Sequence, residues 1–199
     1  MKRHHKEVDE NTLLLLHAED FTDSSIYNNI IVNHNDCATL YASGKFGSAF
    51  DFNKSGSYLR INNVSIPANF SLDFWMYKTS ATTCSILSVG EGAIDITSMD
   101  DGRLRINPMW GTPLVYTEVI PTNTWVHVYV EVINRVMKAY VSGKLSVTQN
   151  LSLSQKSGAY IGNHFSEPRN YYFRGYIDEF RISNISRWQT NFTPPTQPY

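Results

Sequence analysis

The chain has 199 residues, of which 42% are hydrophobic and 18% are charged, and its formal net charge is −1. This balance is typical of a folded protein with a core of its own and excludes a disordered chain. The near-zero charge gives no basis for long-range attraction to nucleic acid or to an anionic membrane surface, so we expect no nucleic-acid partner.

Short segments with alternating apolar and polar residues follow one another along the chain and predict β-strands. In chain order they are residues 12–17, 29–34, 48–52, 57–62, 70–77, 84–89, 93–97, 103–107, 114–119, 124–133, 136–142, 144–149, 159–162 and 176–183. Turn-forming pairs such as Asp101-Gly102 and Asn134-Arg135 separate them, and no segment has a sustained helical period. The pattern predicts an all-β protein made of antiparallel sheets packed as a sandwich or barrel.

The two ends of the chain differ from this pattern. Residues 1–11, MKRHHKEVDEN, are basic and then acidic, and we expect a mobile N-terminal arm before a domain that spans residues 12–183. Residues 184–199 are rich in proline and cannot continue a ladder, so we expect an extended tail that packs on the domain or on a neighbour.

Targeting signals are not evident in the sequence. The LLLL run before His17 is too short for the apolar part of a signal peptide, and no run is long enough to span a bilayer. We therefore expect a protein made in the cytoplasm and not inserted in a membrane. Two cysteines, Cys37 and Cys84, could pair, but they are too few for a disulfide framework, and two buried thiols are the simpler interpretation.

The last predicted strand, YIDEFRIS, raises a physical question. Strict alternation places Tyr176, Asp178, Phe180 and Ile182 on one face, so that a carboxylate lies in an apolar row. An ionised carboxylate on an inward face costs several kcal/mol unless it is paired, neutralised or bound to a metal. Asp178 is therefore expected to have a specific partner.

Several segments together resemble one known family. GKFGSAFDFNKSGSYLRI, FSLDFWMY, NTWVHVYVEVINRVMKAYVSGK, AYIGN and FRGYIDEFRISN resemble the concanavalin A-like, laminin-G-like jelly-roll family in the same order and at similar spacing. The resemblance covers residues 12–199 and implies a jelly-roll sandwich of two antiparallel sheets, one of them curved. The closing RWQTNFTPPTQPY looks like the end of such domains in bacteriophage tail or virion-surface proteins.

Some members of this fold are glucanases, whose catalytic strand has the pattern E-x-D-x-x-E. The nearest segment here is AIDITS, in which Asp95 is present but Ala93 and Ser98 stand at the two catalytic glutamate positions. A retaining glycosidase needs two carboxylates about 5–5.5 Å apart, and this strand supplies only one. We expect a protein that is not an enzyme, and a carboxylate pair assembled from separate loops is the alternative that stays open.

The resemblance also implies a structural Ca²⁺ where the first and last strands meet. The aspartate of the family motif corresponds to Asp178, and the segment HAEDFTDSS offers Glu19, Asp20 and Asp23 as partners. One hypothesis is a Ca²⁺ held by Asp178 with Asp20, backbone oxygens and Asp23, because Ca²⁺ prefers oxygen ligands. The alternative is that Asp178 accepts hydrogen bonds from backbone N–H groups of a neighbouring loop.

For ligand binding, jelly-roll lectins use exposed aromatic rings beside polar side chains. Trp110, in the turn-rich NPMWGTP, is the best candidate for such a stacking platform, and Tyr116, Trp75 and Tyr129 are weaker ones, with sheet packing the simpler interpretation for Trp75. His127, which alternates with Trp125 and Tyr129, is either a ligand-facing hydrogen-bond donor or a packed strand histidine.

These observations favour a non-catalytic virion-surface protein, either a tail, fibre or decoration component, that binds host-surface or extracellular glycan. A purely structural virion component, whose arm and tail dock on other virion proteins or on further copies of the chain, is the first alternative. A glycoside hydrolase with a non-standard carboxylate pair is the second. Glycan binding is tied to the exposed aromatic residues, and assembly is tied to the two ends of the chain.

Overall fold

A computed structural model describes residues 8–34, 38–90, 92–108, 114–151, 153–165 and 172–199, and the structural statements below concern these ranges. Their regular structure consists of β-strands. They are β1 (Thr12–Leu16), β2 (Ile31–Asn33), β3 (Thr39–Phe46), β4 (Ser48–Asp51), β5 (Leu59–Ile66), β6 (Phe70–Lys78), β7 (Cys84–Val89), β8 (Ile94–Ser98), β9 (Arg103–Pro108), β10 (Val115–Val119), β11 (Trp125–Ile133), β12 (Val136–Val141), β13 (Lys144–Asn150), β14 (Lys156–Ile161) and β15 (Gly175–Ser183).

The strands form two antiparallel sheets. Sheet A has the order β13-β12-β11-β6-β15-β4-β3, with β1 paired to β15, and sheet B has the order β10-β9-β8-β7-β14-β5-β2. The predicted all-β jelly-roll sandwich is confirmed. Strand β3 was not predicted, because its TLYASGKF sequence mixes small, polar and glycine residues without a clear apolar row.

The core lies between the sheets and follows the predicted alternation. Phe70, Leu72, Phe74 and Met76 of β6 and the valine row of β11 are buried and belong to one apolar cluster with Ile94, Ile96 and other residues of sheet B. Fully burying one such side chain stabilises a fold by about 1.5–3 kcal/mol. The alternate residues of β6 and β11 point away from the core and form part of the outer face of sheet A.

The β11–β12 hairpin turns where the sequence predicted it. Asn134 and Arg135 both have positive φ, 51° and 65°, as a two-residue hairpin turn of the primed type requires. Cys84 is a buried free thiol on β7, whereas Cys37 lies outside the described residues.

Strand β15 does not keep the strict alternation expected for it. The register with β6 shifts between Asp178 and Arg181, and Glu179 has a φ of +51°. Such a bulge inserts one extra residue and reverses which positions face inward. Ile177 therefore lies in the core with Phe180 and Ile182, while Asp178 pairs with Trp75 on the outer face. The expectation that Asp178 shares a face with Phe180 and Ile182 is wrong for this reason.

The two ends of the chain lie beside each other along sheet A. Backbone and side-chain bonds join Asn184 N to Asn11 O at 3.0 Å and Arg187 Nη2 to Asp9 Oδ1 at 2.8 Å. Residues 184–199, called the C-terminal segment below, run over the outer face of sheet A. Residues 9–11 are thus held by the fold, and residues 1–7 lie outside the described ranges.

Candidate functional site

The outer face of sheet B presents polar and aromatic side chains across neighbouring strands. Antiparallel pairing aligns Tyr116 of β10 with Arg105 of β9, Arg105 with Thr97 of β8, and Thr97 with Ser85 of β7. A second row beside it runs through Asn107, Asp95, Ser88, Tyr160 and Arg60. Residues directly opposite each other on one face stand close enough to act together on one ligand.

Asp95 organises the centre of this face. Its Oδ1 accepts a hydrogen bond from Ser88 Oγ at 2.5 Å, and its Oδ2 lies 3.0 Å from His164 Nε2. Ser88 therefore contacts the carboxylate and not the imidazole, so the three residues do not have the nucleophile–base–acid order of a hydrolytic triad. The buried carboxylate instead orients the His164 ring at the edge of the face.

Two arginine–tyrosine contacts flank the centre. The Arg103 guanidinium lies 4.8 Å from the Tyr116 ring centroid, and the Arg60 guanidinium lies 5.5 Å from that of Tyr160. Tyr116 is 37% exposed, so part of its ring is open to solvent. A tyrosine ring fixed by a neighbouring cation and open on one side is suited to stack on the apolar C–H face of a sugar.

Two buried polar atoms on this face lack partners among the described residues. Arg105 donates from Nη2 to Thr97 Oγ1 at 3.3 Å, but its Nε has no hydrogen-bond partner. Ser85 Oγ, two strands away in the same row, has none either. Buried donors are rarely left unsatisfied, so the face has hydrogen-bonding capacity for a polar ligand.

The predicted ligand residues fall on different parts of the molecule. Tyr116 lies on the outer face of sheet B as described, and Trp110, in the connection between β9 and β10, lies outside the described residues. His127 and Tyr129 lie on the other sheet and are fully buried. The C-terminal segment covers both, so Tyr129 is not the exposed platform that the sequence suggested, and His127 is packed on its strand, the second of its two alternatives.

The cover over sheet A is aromatic. The rings of Trp188 and Phe192 stack on each other with centroids 4.2 Å apart. Both meet the ring of Tyr129 edge-on, at 4.9 Å and 5.8 Å. The Phe192 N–H donates to the Gly143 carbonyl at 2.9 Å, and a Cβ at Gly143 would collide with the Phe192 carbonyl. The glycine of the Ser142-Gly143 turn is therefore required for the segment to pack there.

An ionic cluster lies under the end of this segment. Arg181 donates from Nε and Nη2 to the Asp73 carboxylate at 3.1 and 3.0 Å, and the Asp73 side chain is 1% exposed. Burial by itself raises the pKa of Asp73, but the Arg181 charge and the His127 hydrogen bond outweigh it and hold that pKa below its usual range. The Tyr199 hydroxyl donates to the same carboxylate, and Arg181 lies 3.6 Å from the Tyr199 ring centroid.

Asp178 has backbone partners. Its Oδ2 accepts a hydrogen bond from the Phe46 N–H at 2.9 Å, as in the second of the two alternatives for this residue. Burial raises the pKa of Asp178 to about 7, against the lowering effect of the Phe46 bond. Its Oδ1 has no partner among the described residues. Only one of the two carboxyl oxygens of Asp178 thus accepts a hydrogen bond.

The proposed calcium ligands are engaged elsewhere. Both oxygens of Asp23 accept hydrogen bonds, five in all, from Leu15, Ser25 and Asn29. Asp20 is exposed and accepts from Thr22. Within the described ranges, no group of three or more His, Cys, Asp or Glu side chains is placed to hold a metal ion. Asp23 and Asp20 are thus engaged in hydrogen bonds of their own, and the Ca²⁺ site that the resemblance implied stays a prediction.

We accordingly expect calcium to leave the stability of the chain unchanged. Thermal unfolding in EDTA and in millimolar Ca²⁺ measures this directly, and the two midpoints should coincide because both Asp23 oxygens and Asp178 Oδ2 already accept hydrogen bonds. A higher midpoint in Ca²⁺ than in an equal concentration of Mg²⁺ would restore the calcium hypothesis.

Sequence reasoning missed Arg105, Asn107 and Ser85 as parts of a shared face. Alternation along β7 and β9 is the signal that could have found their outward positions, but only the register of the pairs aligns Arg105 with Tyr116. A register shift in β10 between Tyr116 and Val119 is not readable from the sequence.

Among the described residues, the structure contains no helix able to cross a membrane. Residues 53–191 match a family described as the concanavalin A-like lectin/glucanases superfamily, and the chain belongs to it. No curated protein sequence matches the chain.

Solved structures share the fold. Domain 4 of an extracellular arabinanase from Geobacillus stearothermophilus, in complex with arabinotriose, has 21% identity and a TM-score of 0.64 over 87% of this chain and 92% of its own. Botulinum neurotoxin type C, described as interacting with two ganglioside molecules, has 17% identity and a TM-score of 0.69 over 88% of this chain and 48% of its own. Trypanosoma rangeli sialidase, in complex with sialic acid, has 15% identity and a TM-score of 0.62 over 90% of this chain and 31% of its own.

Proposed function

We propose that the chain is a non-catalytic glycan-binding module and that its binding surface is the outer face of sheet B. The observation that carries the proposal is the row of Tyr116, Arg105, Thr97 and Ser85, which combines a half-open ring with two buried polar atoms that lack partners. Sugars offer an apolar C–H face for the ring and hydroxyl groups for such donors. The three solved structures of the same fold supply further support, since each is described with a saccharide or ganglioside.

The proposal extends to a place on a virion surface, where binding of host glycan would serve attachment. Its support is the resemblance of the closing RWQTNFTPPTQPY to bacteriophage structural proteins. The C-terminal segment packs on its own sheet A through Trp188, Phe192 and Tyr199, which argues against the alternative in which this segment docks on other virion proteins.

Binding to a glycan array tests the proposal. Wild-type protein is expected to bind a restricted set of glycans, and Tyr116→Ala is expected to weaken that binding by about tenfold or more, since a lost stacking contact of 1.4 kcal/mol or above has that effect. We expect Trp110→Ala to weaken it as well. Tyr27→Ala is the matched control, because Tyr27 is 51% exposed and lies outside the face.

The outcomes separate the two classes of function. Selective binding that is lost in Tyr116→Ala and kept in Tyr27→Ala supports the glycan-binding module. No binding to any glycan, together with co-purification of the chain with particles, contradicts it and favours a structural virion component. Particle imaging would locate the chain and test the virion assignment separately.

A further inference from the structure

Sheet A has a second group of polar atoms without partners, and they lie in one row. Register pairs align His127 of β11 with Trp75 of β6, and Trp75 with Asp178 of β15. His127 and Asp178 are fully buried, and Trp75 is 7% exposed. Yet Trp75 Nε1, His127 Nδ1 and Asp178 Oδ1 have no hydrogen-bond partner among the described residues. Three such atoms on three adjacent strands are too many for an ordinary packed face.

Two elements cover this row. On one side the β3–β4 turn places Lys45 Nζ 4.2 Å from the Trp75 ring centroid and the Phe46 ring edge-on to it at 5.9 Å. On the other side lies the end of the C-terminal segment, where the Tyr199 hydroxyl stands 3.1 Å from His127 Nε2 and donates to Asp73. Lys45 and Phe46 belong to β3, which is paired with β4, whereas the end of the C-terminal segment lies outside the strand pairing and could separate from the sheet without breaking a strand pair.

The chemistry of the row selects a class of ligand. Asp73 and Arg181 neutralise each other, and two further groups of opposite charge lie around the row, Lys45 at 4.2 Å from the Trp75 ring centroid and Glu179, which accepts from the Tyr199 N–H. Trp75 Nε1 is a donor and Asp178 Oδ1 can accept a hydrogen bond, whereas His127 Nδ1 donates or accepts according to the tautomer of the ring. Hydroxyl groups both donate and accept, and the Tyr199 hydroxyl already does so between His127 and Asp73.

From this arrangement we infer that the row His127–Trp75–Asp178 is a covered binding site for a neutral, hydroxyl-rich ligand such as a sugar ring, and that Tyr199 occupies its entrance. The phenol hydroxyl stands where a ligand hydroxyl would stand, and Arg181 lies over the ring that carries it. Displacing the end of the C-terminal segment opens the site. It is separate from the outer face of sheet B and does not depend on glycan binding there.

The experiment uses the full chain with Tyr199→Ala and arrayed neutral oligosaccharides of glucose, galactose, mannose and arabinose. Removing a cover raises the fraction of molecules that are competent to bind, so the variant is expected to bind at least one of these glycans about tenfold more tightly than the wild type. Adding Trp75→Phe, which keeps a ring but removes Nε1, should abolish the gain. Tyr199→Ala introduced into a Tyr116→Ala background should give the same gain relative to Tyr116→Ala alone, which distinguishes this site from the one on sheet B.

Tyr199→Phe keeps the ring beside Arg181 and removes only the hydroxyl, so it provides a folded variant if Tyr199→Ala does not fold. It should show a smaller gain of the same kind. The inference is overturned if neither variant gains binding while giving the circular dichroism spectrum and single thermal transition of a folded protein. It is also overturned if the gain persists with Trp75→Phe.

Discussion

Asp73→Asn is expected to lower the free energy of unfolding by about 3–5 kcal/mol, the usual cost of breaking a buried ion pair from one side. The Arg181 side chain is 12% exposed and would keep its charge with no carboxylate opposite it. The Tyr199 hydroxyl would lose the charged acceptor to which it donates. Urea unfolding followed by circular dichroism measures the change, with the slope of the transition as a check on two-state behaviour.

The matched control is Asp101→Asn. Asp101 also forms an arginine pair, with Arg103 at 2.6 Å, but the two side chains are 43% and 44% exposed. Exposed pairs contribute about 0–1 kcal/mol, so this variant should change stability little. A double variant, Asp73→Asn with Arg181→Met, should recover much of the loss, because no unpaired charge stays buried. Equal effects for Asp73 and Asp101 would contradict the assignment of a buried cluster beneath Tyr199.

Asp178→Asn is expected to stabilise the protein at pH 8 and to have little effect at pH 4. The folded-state pKa of Asp178 is raised to about 7, from an ordinary value of 3.8, by burial. Below pH 3.8 Asp178 is protonated in both the folded and the unfolded chain, so it does not lower the free energy of unfolding. As the pH rises towards 7 the unfolded chain ionises first, so the stability that the protonated form contributes is lost.

The amide of asparagine resembles the protonated acid and cannot ionise, so the variant avoids this loss. The gain at pH 8 should be a few kcal/mol, since each pKa unit corresponds to about 1.4 kcal/mol. Asp23→Asn gives a contrast. It should destabilise at pH 8, because an amide nitrogen cannot accept the hydrogen bonds that reach both Asp23 oxygens. A pH-independent effect of Asp178→Asn would contradict this account, because it would mean that the pKa of Asp178 is the same in the folded and the unfolded chain.

The sequence was sufficient to predict the strands and the sandwich, because apolar alternation decides which face of a strand is buried. The valine row of β11 and the turn at Asn134 are direct examples. It was not sufficient for the position of Asp178, because a single-residue bulge at Glu179 reverses the faces of β15 and leaves no sign in the residue types.

The candidate sites likewise depend on tertiary contacts that residue types do not predict. His127 and Tyr129 were correctly placed away from the valine core, but whether such a face meets solvent depends on a segment about 60 residues further along the chain. The pairing of Tyr116 with Arg105 depends on register, which short strands specify only through their neighbours. Side-chain type predicted the polar and aromatic chemistry of both faces, and tertiary packing decided which side chains are exposed, such as Tyr116, and which are buried, such as Ser88 and Asp95.

The two faces of the sandwich thus have different expected roles. Sheet A buries an ionic and aromatic network under Trp188, Phe192 and Tyr199, and loss of that network should reduce stability. Sheet B leaves Tyr116 partly exposed beside Arg105, and loss of these groups should reduce binding while the core stays intact. Stability and glycan binding should therefore be separable by single substitutions.

A crystal structure of the full chain with the glycan selected on the array tests the central claim most directly. The account predicts a sugar ring stacked on Tyr116, with its hydroxyl groups within hydrogen-bonding distance of Arg105 Nε and Asn107. Glycan density located away from the outer face of sheet B, with Tyr116 and Arg105 untouched, would contradict it.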